Sequence, residues 1–305
     1  MIAIGESIHV LSNQVKEAIA NRDSAFIQSL ARNQVERGAR VLDLNIGPQR
    51  KEGVAIMSWM VETVQEVVDV PLSLDTTNLA AIEAGLKRVK KQAIVNSASA
   101  QEERLRDVPP LAAKYRAKLI ALAMGGHIPA TAEDRVAIAL EKLIPRAEEL
   151  GMPMEDLLLD PLVLTVAGMQ DQAVQAVETV RFLKQAAVPA PMTVVGLSNI
   201  SNQVPAEGRS LITCTFAVML MAAGLDYAIA DPMDERLWEF IHIIEGRDAS
   251  TGKGKLLLAL YDATANMGEL DPSIVDMKDP DQVAIWKTVQ ILKNQVIYAD
   301  SYLRV

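Results

Sequence analysis

ARVLDLNIGPQRKEGVAIMSWMVETVQEVVDVPLSLD, residues 39–75, decides the fold. Its two ends, ARVLDLN (39–45) and PLSLD (71–75), are short apolar runs, and each finishes in a carboxylate or an amide. Between them Val54, Met57, Met60, Val61 and Val64 recur at three- and four-residue spacing, which predicts a helix over 52–69. The end runs are continuous rather than alternating in polarity, as parallel strands covered on both faces are. The stretch therefore reads as one strand–helix–strand unit.

The same unit recurs outward in both directions. Further strands are expected at MIAIG (1–5), QAIVN (92–96), AKLIALAM (117–124), DLLLD (156–160), MTVVGL (192–197) and DYAIAD (226–231), giving eight. Helical spacing falls at 24–37, ending before Gly38, and at 78–88, where Thr76 and Thr77 can cap. It falls again at 101–115, 131–150, 170–187, 209–223 with a stop at Gly224, 234–244 and 281–302. Eight such repeats predict an α/β fold, a (β/α)8 TIM barrel in one domain over residues 1–305. An open doubly wound sheet would carry a glycine-rich phosphate turn after its first strand, and GESIHV is not one. Residues 246–280 break the repeat and read as an insertion before the C-terminal helix. Within them GKGK reads as a flexible turn, LLLALYDATANMG as a strand or short helix, and ELDPSIVDMKDPD as loop.

Half of the chain is hydrophobic, enough for a substantial core, and the net charge is −9. That balance argues against a nucleic-acid surface, which needs a concentrated basic patch. The one basic cluster, KRVKK at 87–91, suits the negative end of the helix before it. Apolar runs such as LLLALY (256–261) fall short of the roughly 18–20 residues that cross a bilayer. MIAIGESIHV lacks the basic start and cleavage site of a secretory signal. The single cysteine, Cys214, lies in an apolar helical pattern and reads as a small core residue. Cytoplasmic residence, with no membrane and no nucleic-acid partner, is the expectation.

The C-terminal ends of the strands form the reactive face of such a barrel. In order they read Glu6, Asp43 with Asn45, Asp75, Asn96, Met124, Asp160, Ser198 with Asn199, and Asp231. Helix capping accounts for any one of them; the recurrence favours a shared polar pocket. No Lys or Arg ends a strand, so phosphate would meet no cation there. HxH and HExxH spacings are missing among only three histidines, so no tightly bound metal is expected. Carboxylates and amides together match a flat heterocycle with a donor-rich edge, such as an amino-pyrimidinone. Ser198 is not in a nucleophile elbow and Cys214 lacks an activating neighbour, which disfavours covalent catalysis. His9 and His127 follow strands one and five and could line the mouth, whereas His242 reads as helix surface or interface.

LDLNIGP (42–48), LDTTN (74–78), IVNSASA (94–100), LLLDPL (157–162), VVGLSNIS (194–201) and GLDYAIADP (224–232) in this order resemble the pterin-binding methyltransferases. The chain is most similar to the methyltetrahydrofolate:corrinoid protein methyltransferases, relatives of the folate module of cobalamin-dependent methionine synthase. The resemblance runs from residue 1 to about 245 and resumes in NQVIYADSYL (294–303). It implies that Asp75, Asn96 and Asp160 hold the pterin edge. Asn199 would lie beside nitrogen 5, with Gly196 and Ser198 shaping the same wall and Asn202, Arg209 and Ile229 touching the ligand. Glu6, Asp43 and Asn45 are further candidates at the strand ends. The implied substrates are tetrahydrofolate or methyltetrahydrofolate and a corrinoid (cobalamin) carried by a partner protein, and the implied assembly is a homodimer. The pattern departs from the family after strand one, where GERIN is replaced by Gly5-Glu6-Ser7-Ile8-His9. Two alternatives share the pocket: a dihydropteroate synthase, which must also hold a pyrophosphate, and a folate-binding barrel without turnover.

Overall fold

The computed structural model describes residues 1–301. Eight parallel strands are β1 (Ile2–Gly5), β2 (Val41–Asn45), β3 (Leu72–Asp75), β4 (Ile94–Ser99), β5 (Lys118–Leu122), β6 (Leu157–Asp160), β7 (Met192–Gly196) and β8 (Tyr227–Ala230). They close into a barrel in sequence order, with β8 pairing back onto β1 over Ile2↔Tyr227 to Gly5↔Ala230. Closure removes both sheet edges and with them the open-sheet alternative. All eight expected strands are present, although β4 runs on past Asn96 and β5 stops before Met124.

The pleat explains why the polar residues gather. Ile4, Val41, Ile94, Ile120, Leu158, Val194 and Tyr227 form one buried cluster, the plug of the barrel. Side chains two residues apart on a strand share a face. One step beyond the plug therefore come Glu6, Asp43, Asn96, Leu122, Asp160, Gly196 and Ile229, while β3 contributes Ser73 and then Asp75. Leu122 and Ile229 still pack on the plug. The polar ring stands directly on an apolar floor.

The outer helices are α1 (Asn13–Asn21), α2 (Ser24–Glu36), α3 (Gly53–Gln65), α4 (Leu79–Leu86), α5 (Glu102–Lys114), α6 (Ala132–Ile138), α7 (Ile144–Glu149), α8 (Val166–Met169), α9 (Asp171–Leu183), α10 (Ala206–Ala223), α11 (Glu235–Gly246), α12 (Gly252–Ala265) and α13 (Pro280–Leu292). In α3, Met57, Met60, Val61 and Val64 are buried as their spacing requires, but Val54 sits in the first turn and is half exposed. The short α1 was not expected, because only Val15, Ala18 and Ile19 mark its inner face. Asn78, not Thr76 or Thr77, caps α4 by accepting from the Ala81 amide at 3.2 Å. The single helix expected over 131–150 is divided by a wide π turn at Ala139–Leu143, next to Pro145, whose ring lacks a donor for the regular ladder. The helix expected over 209–223 begins three residues earlier, at Ala206 of α10, which puts Arg209 in its first turn, and it ends at Gly224, φ +105°, as expected. With 18 residues, α10 is apolar enough by length and composition to cross a bilayer, yet it packs against α9, α11, α12 and α13.

The largest correction concerns 246–280. The GKGK string is not a flexible turn: it forms the first turn of α12, capped by Thr251, whose hydroxyl accepts from the Gly254 amide at 2.9 Å. Leu256, Leu257 and Leu260 are fully buried there, against α10. Gly254 is required, since a Cβ would meet the Asp248 carbonyl oxygen. The polar Ser/Thr/Gly run before α12 resembles a linker because capping and linker chemistry use the same residues. Leu257→Ala should cost about 2–5 kcal/mol through a buried cavity. Denaturant unfolding would show one transition at a lowered midpoint; an unchanged midpoint would mean that α12 lies outside the cooperative core. The helix expected to reach residue 302 ends at Leu292, and Tyr302 and Leu303 lie outside the described residues.

Candidate functional site

At the mouth the strand ends are linked in pairs. The Asn96 amide donates to Asp43 Oδ1 at 3.2 Å, and the Asn45 amide donates to Asp75 Oδ2. Asn45 Oδ1 in turn accepts from the Gly47 amide at 3.0 Å, which fixes which end of its side chain faces Asp75. On the far side, Asp160 Oδ1 accepts from the Leu162 amide at 2.7 Å. Parallel pairing brings Asp75 level with Asn45 on one neighbour and Asn96 on the other.

Burial on the apolar floor raises these carboxyls. Asp160 is pushed up to about 7 by burial, offset by the Leu162 amide and the Arg135 cation. Asp75 is pushed up to about 6 by burial, against the Asn45 hydrogen bond and the Arg104 charge. Asp43 stands well above the ordinary range because it is buried and faces Asp75. The pocket is thus close to a protonation boundary at neutral pH, and donors from a ligand edge would favour the ionised forms.

The opposite wall comes from β7, β8 and the end of β1. The chain turns through Leu197–Ser201 in a short 3-10 helix that sets Ser198 against Glu6, the Ser198 hydroxyl donating to Oε1 at 2.6 Å. Burial raises the Glu6 carboxyl, and nearby Asp231 adds to the shift. Asn199 lies over Gly196: a Cβ there would come within 2.8 Å of its Nδ2. Its Oδ1 accepts from the Asn202 amide at 3.2 Å. Arg209 is exposed and donates through Nε to the Val204 carbonyl at 2.6 Å, steadying the loop that carries Asn202. Glu6, Ser198, Asn202, Arg209, Asp231 and Asp234 share the lining of a cavity of about 430 Å³. Asp75, Asn96 and Asp160 do not line that cavity.

The histidines and the cysteine marked by the sequence fall in different surroundings. His9 pairs in register with Asn45 and lines a smaller cavity of 270 Å³ with Glu6, Ser7 and Asp231, where the family pattern has changed. His127 is exposed. Cys214 is buried, and Asp234 Oδ2 lies 3.6 Å from its sulfur. Cations do approach the pocket, but from helices: Arg104 of α5 acts on Asp75 and Arg135 of α6 on Asp160. Both donate to main-chain carbonyls, Arg104 to Thr77 and Ser97, Arg135 to Pro129, Pro161 and Leu162, and Arg135 also donates to the Gln172 side chain. Neither helix carries a local sequence signal for this, because the contact is made across the barrel rim.

A closed (β/α)8 barrel with carboxylates and amides ringed over an apolar floor defines a barrel that binds a polar heterocycle at its mouth. The model of the pterin binding enzyme family matches residues 12–231. The chain belongs to that family. It is 28% identical over 275 residues to the methylcorrinoid:tetrahydrofolate methyltransferase of Eubacterium limosum, covering 89% of this chain and 98% of that one. It is also 28% identical over 240 residues to methionine synthase of Mycobacterium leprae, covering 75% of this chain but only 20% of that longer protein. Among solved structures, Yersinia pestis dihydropteroate synthase with a pterine-sulfa conjugate superposes with a TM-score of 0.58 at 18% identity, covering 81% of this chain and 93% of that one, a likeness of fold alone.

Proposed function

We propose that the protein is a methyltransferase that moves a methyl group between nitrogen 5 of tetrahydrofolate and the cobalt of a corrinoid carried by a partner protein. The observation that carries this reading is the ring of Asp75, Asn96 and Asp160 on one side of the mouth with Asn199 on the other. The carboxylates accept from the ring N–H and exocyclic amine of a pterin, and Asn96 reads the carbonyl beside them. Gly196 and Ser198 form the wall, and Ile229 extends the floor under the ring. Asn202 and Arg209 border the ligand through the loop they hold. Glu6, Asp43 and Asn45 act behind these groups, by setting Ser198, Asn96 and Asp75.

In the direction away from folate, the carbon–nitrogen bond breaks and its electron pair stays on nitrogen 5, which takes a proton. Co(I) supplies the pair for the new cobalt–carbon bond. The reverse direction runs the same steps backward, and it is the direction that the Eubacterium limosum relative's name gives. The Asn199 amide supports the charge developing at nitrogen 5. The proton arrives through water, and holding both partners in line supplies much of the rest. Exposed apolar side chains on the rim (Leu11, Ile128, Met169 and Met233) suit docking of a macromolecule over the mouth. Dihydropteroate synthase chemistry fits less well, because in this cavity a pyrophosphate would meet three carboxylates, Glu6, Asp231 and Asp234, against Arg209, the single cation among the described residues that line it. The working form is taken to be a cytoplasmic homodimer, as the single cysteine and the resemblance support.

Anaerobic mixing with methyltetrahydrofolate and Co(I) cobalamin tests the proposal. The methyl-cobalt absorption should grow in, and reduced folate with methylcobalamin should reverse it. Tight folate binding with no cobalt methylation in either direction would leave a binding barrel instead.

A further inference from the structure

Arg135 is one of the largest side chains in the protein with no exposure at all. Burying a guanidinium is costly unless its donors are met. Here Nε donates to the Pro129 carbonyl at 3.1 Å, Nη1 to the Pro161 and Leu162 carbonyls at 3.0 and 3.1 Å, and Nη2 to Gln172 Oε1. These partners tie the loop after β5, the turn after β6 and α9 to one planar fork.

The β6 turn is the part that matters for the ligand. Leu162 has φ +70°, a left-handed conformation uncommon for a residue with a side chain. Its amide holds Asp160 Oδ1 and its carbonyl is held by Arg135. One oxygen of Asp160 is committed to the turn, which leaves Oδ2 with capacity for a ligand donor. Arg135 never touches the mouth.

We propose that Arg135 is a positioning residue: by fixing the carbonyls of Pro161 and Leu162 from behind, it sets the direction in which Asp160 presents its carboxylate to the pterin. This rests on the reading of Asp160 as a pterin-binding group. The guanidinium also acts electrostatically, since its charge opposes the burial that raises Asp160. Asp160 feels the Arg135 cation from α6, while the neighbouring strand β5 sets Leu122 beside it. Asp160 and Asp171 are the carboxylates acting on Arg135. Lysine offers a cation but no planar fork, so it can replace the charge and not the geometry.

The test is methyltetrahydrofolate binding by calorimetry across pH 6–9 for wild type, Arg135→Gln and Arg135→Lys, with thermal melts for each. Arg135→Gln should weaken binding about 10- to 100-fold at pH 7.5, by loss of charge-assisted hydrogen bonds. Its affinity midpoint should also move to higher pH, because Asp160 loses the cation that favours ionisation. In Arg135→Lys the affinity should fall while the midpoint stays near the wild-type value. The rate constant at saturating folate should change less than about threefold, as for a residue that acts on binding. If Arg135→Gln does not fold, Gln172→Ala loosens the same fork and should weaken binding in the same direction. Folded Arg135→Gln with wild-type affinity and an unmoved midpoint would overturn the proposal. Absence of folate binding by the wild type would instead overturn the reading of the pocket.

Discussion

Asn199→Ala is expected to lower the rate constant for methyl transfer about 10²- to 10³-fold, the loss seen when one aimed donor is removed from a developing charge. Folate affinity should change by less than about threefold, because the contact strengthens only as the carbon–nitrogen bond breaks. The geometry gives the amide its sense: Oδ1 is occupied by Asn202, so Nδ2 is the end free to donate. Gly196 makes room for that end, since a methyl group there would stand 2.8 Å from Nδ2. Asn199 is exposed on a short turn, so its truncation leaves the barrel intact. Single-turnover mixing with the corrinoid partner, beside calorimetry, separates the two effects. An affinity loss as large as the rate loss would make Asn199 an ordinary binding residue and move the chemistry elsewhere.

The fold was legible because barrel strands leave a strong local mark. Runs such as QAIVN and DLLLD are buried on both faces and carry no alternation, and they end where the mouth begins. The site was legible for the same reason, since each mouth residue follows its strand in sequence. What could not be read is what crosses between units. Arg104 and Arg135 sit on ordinary helices, and only closure brings them behind Asp75 and Asp160. The Glu6–Ser198 hydrogen bond joins residues 192 apart. Likewise α12 was hidden because its cap, Thr251 ahead of GKGK, has the composition of a linker until Leu256 and Leu257 are seen to pack.

Asp160→Asn should show two opposite effects from one cause. A carboxyl in an unfolded chain titrates near about 3.9, whereas burial places Asp160 at about 7 in the folded protein. The folded state therefore keeps a proton that the unfolded chain has already lost. Stability from this group is fully present below about pH 4 and is lost as pH rises to about 7, because the native charge lies on an apolar floor. The amide carries no charge at any pH, so the variant should be more stable than wild type at pH 8, on the order of 1–3 kcal/mol. Near pH 4 the two should unfold alike. Binding should move the other way, weakening on the order of 10²-fold, since the pterin loses a charged acceptor. Wild-type affinity should rise from pH 6 to 8 as Asp160 ionises; in the variant a smaller dependence should remain, from Asp75, near 6, and from the raised Asp43 that faces it. Asp75→Ala should lose folate binding by the same logic. Urea unfolding and folate calorimetry at matched pH decide the matter. A variant that is less stable at pH 8, or that binds folate as well as wild type, would mean that Asp160 serves the turn after β6 alone.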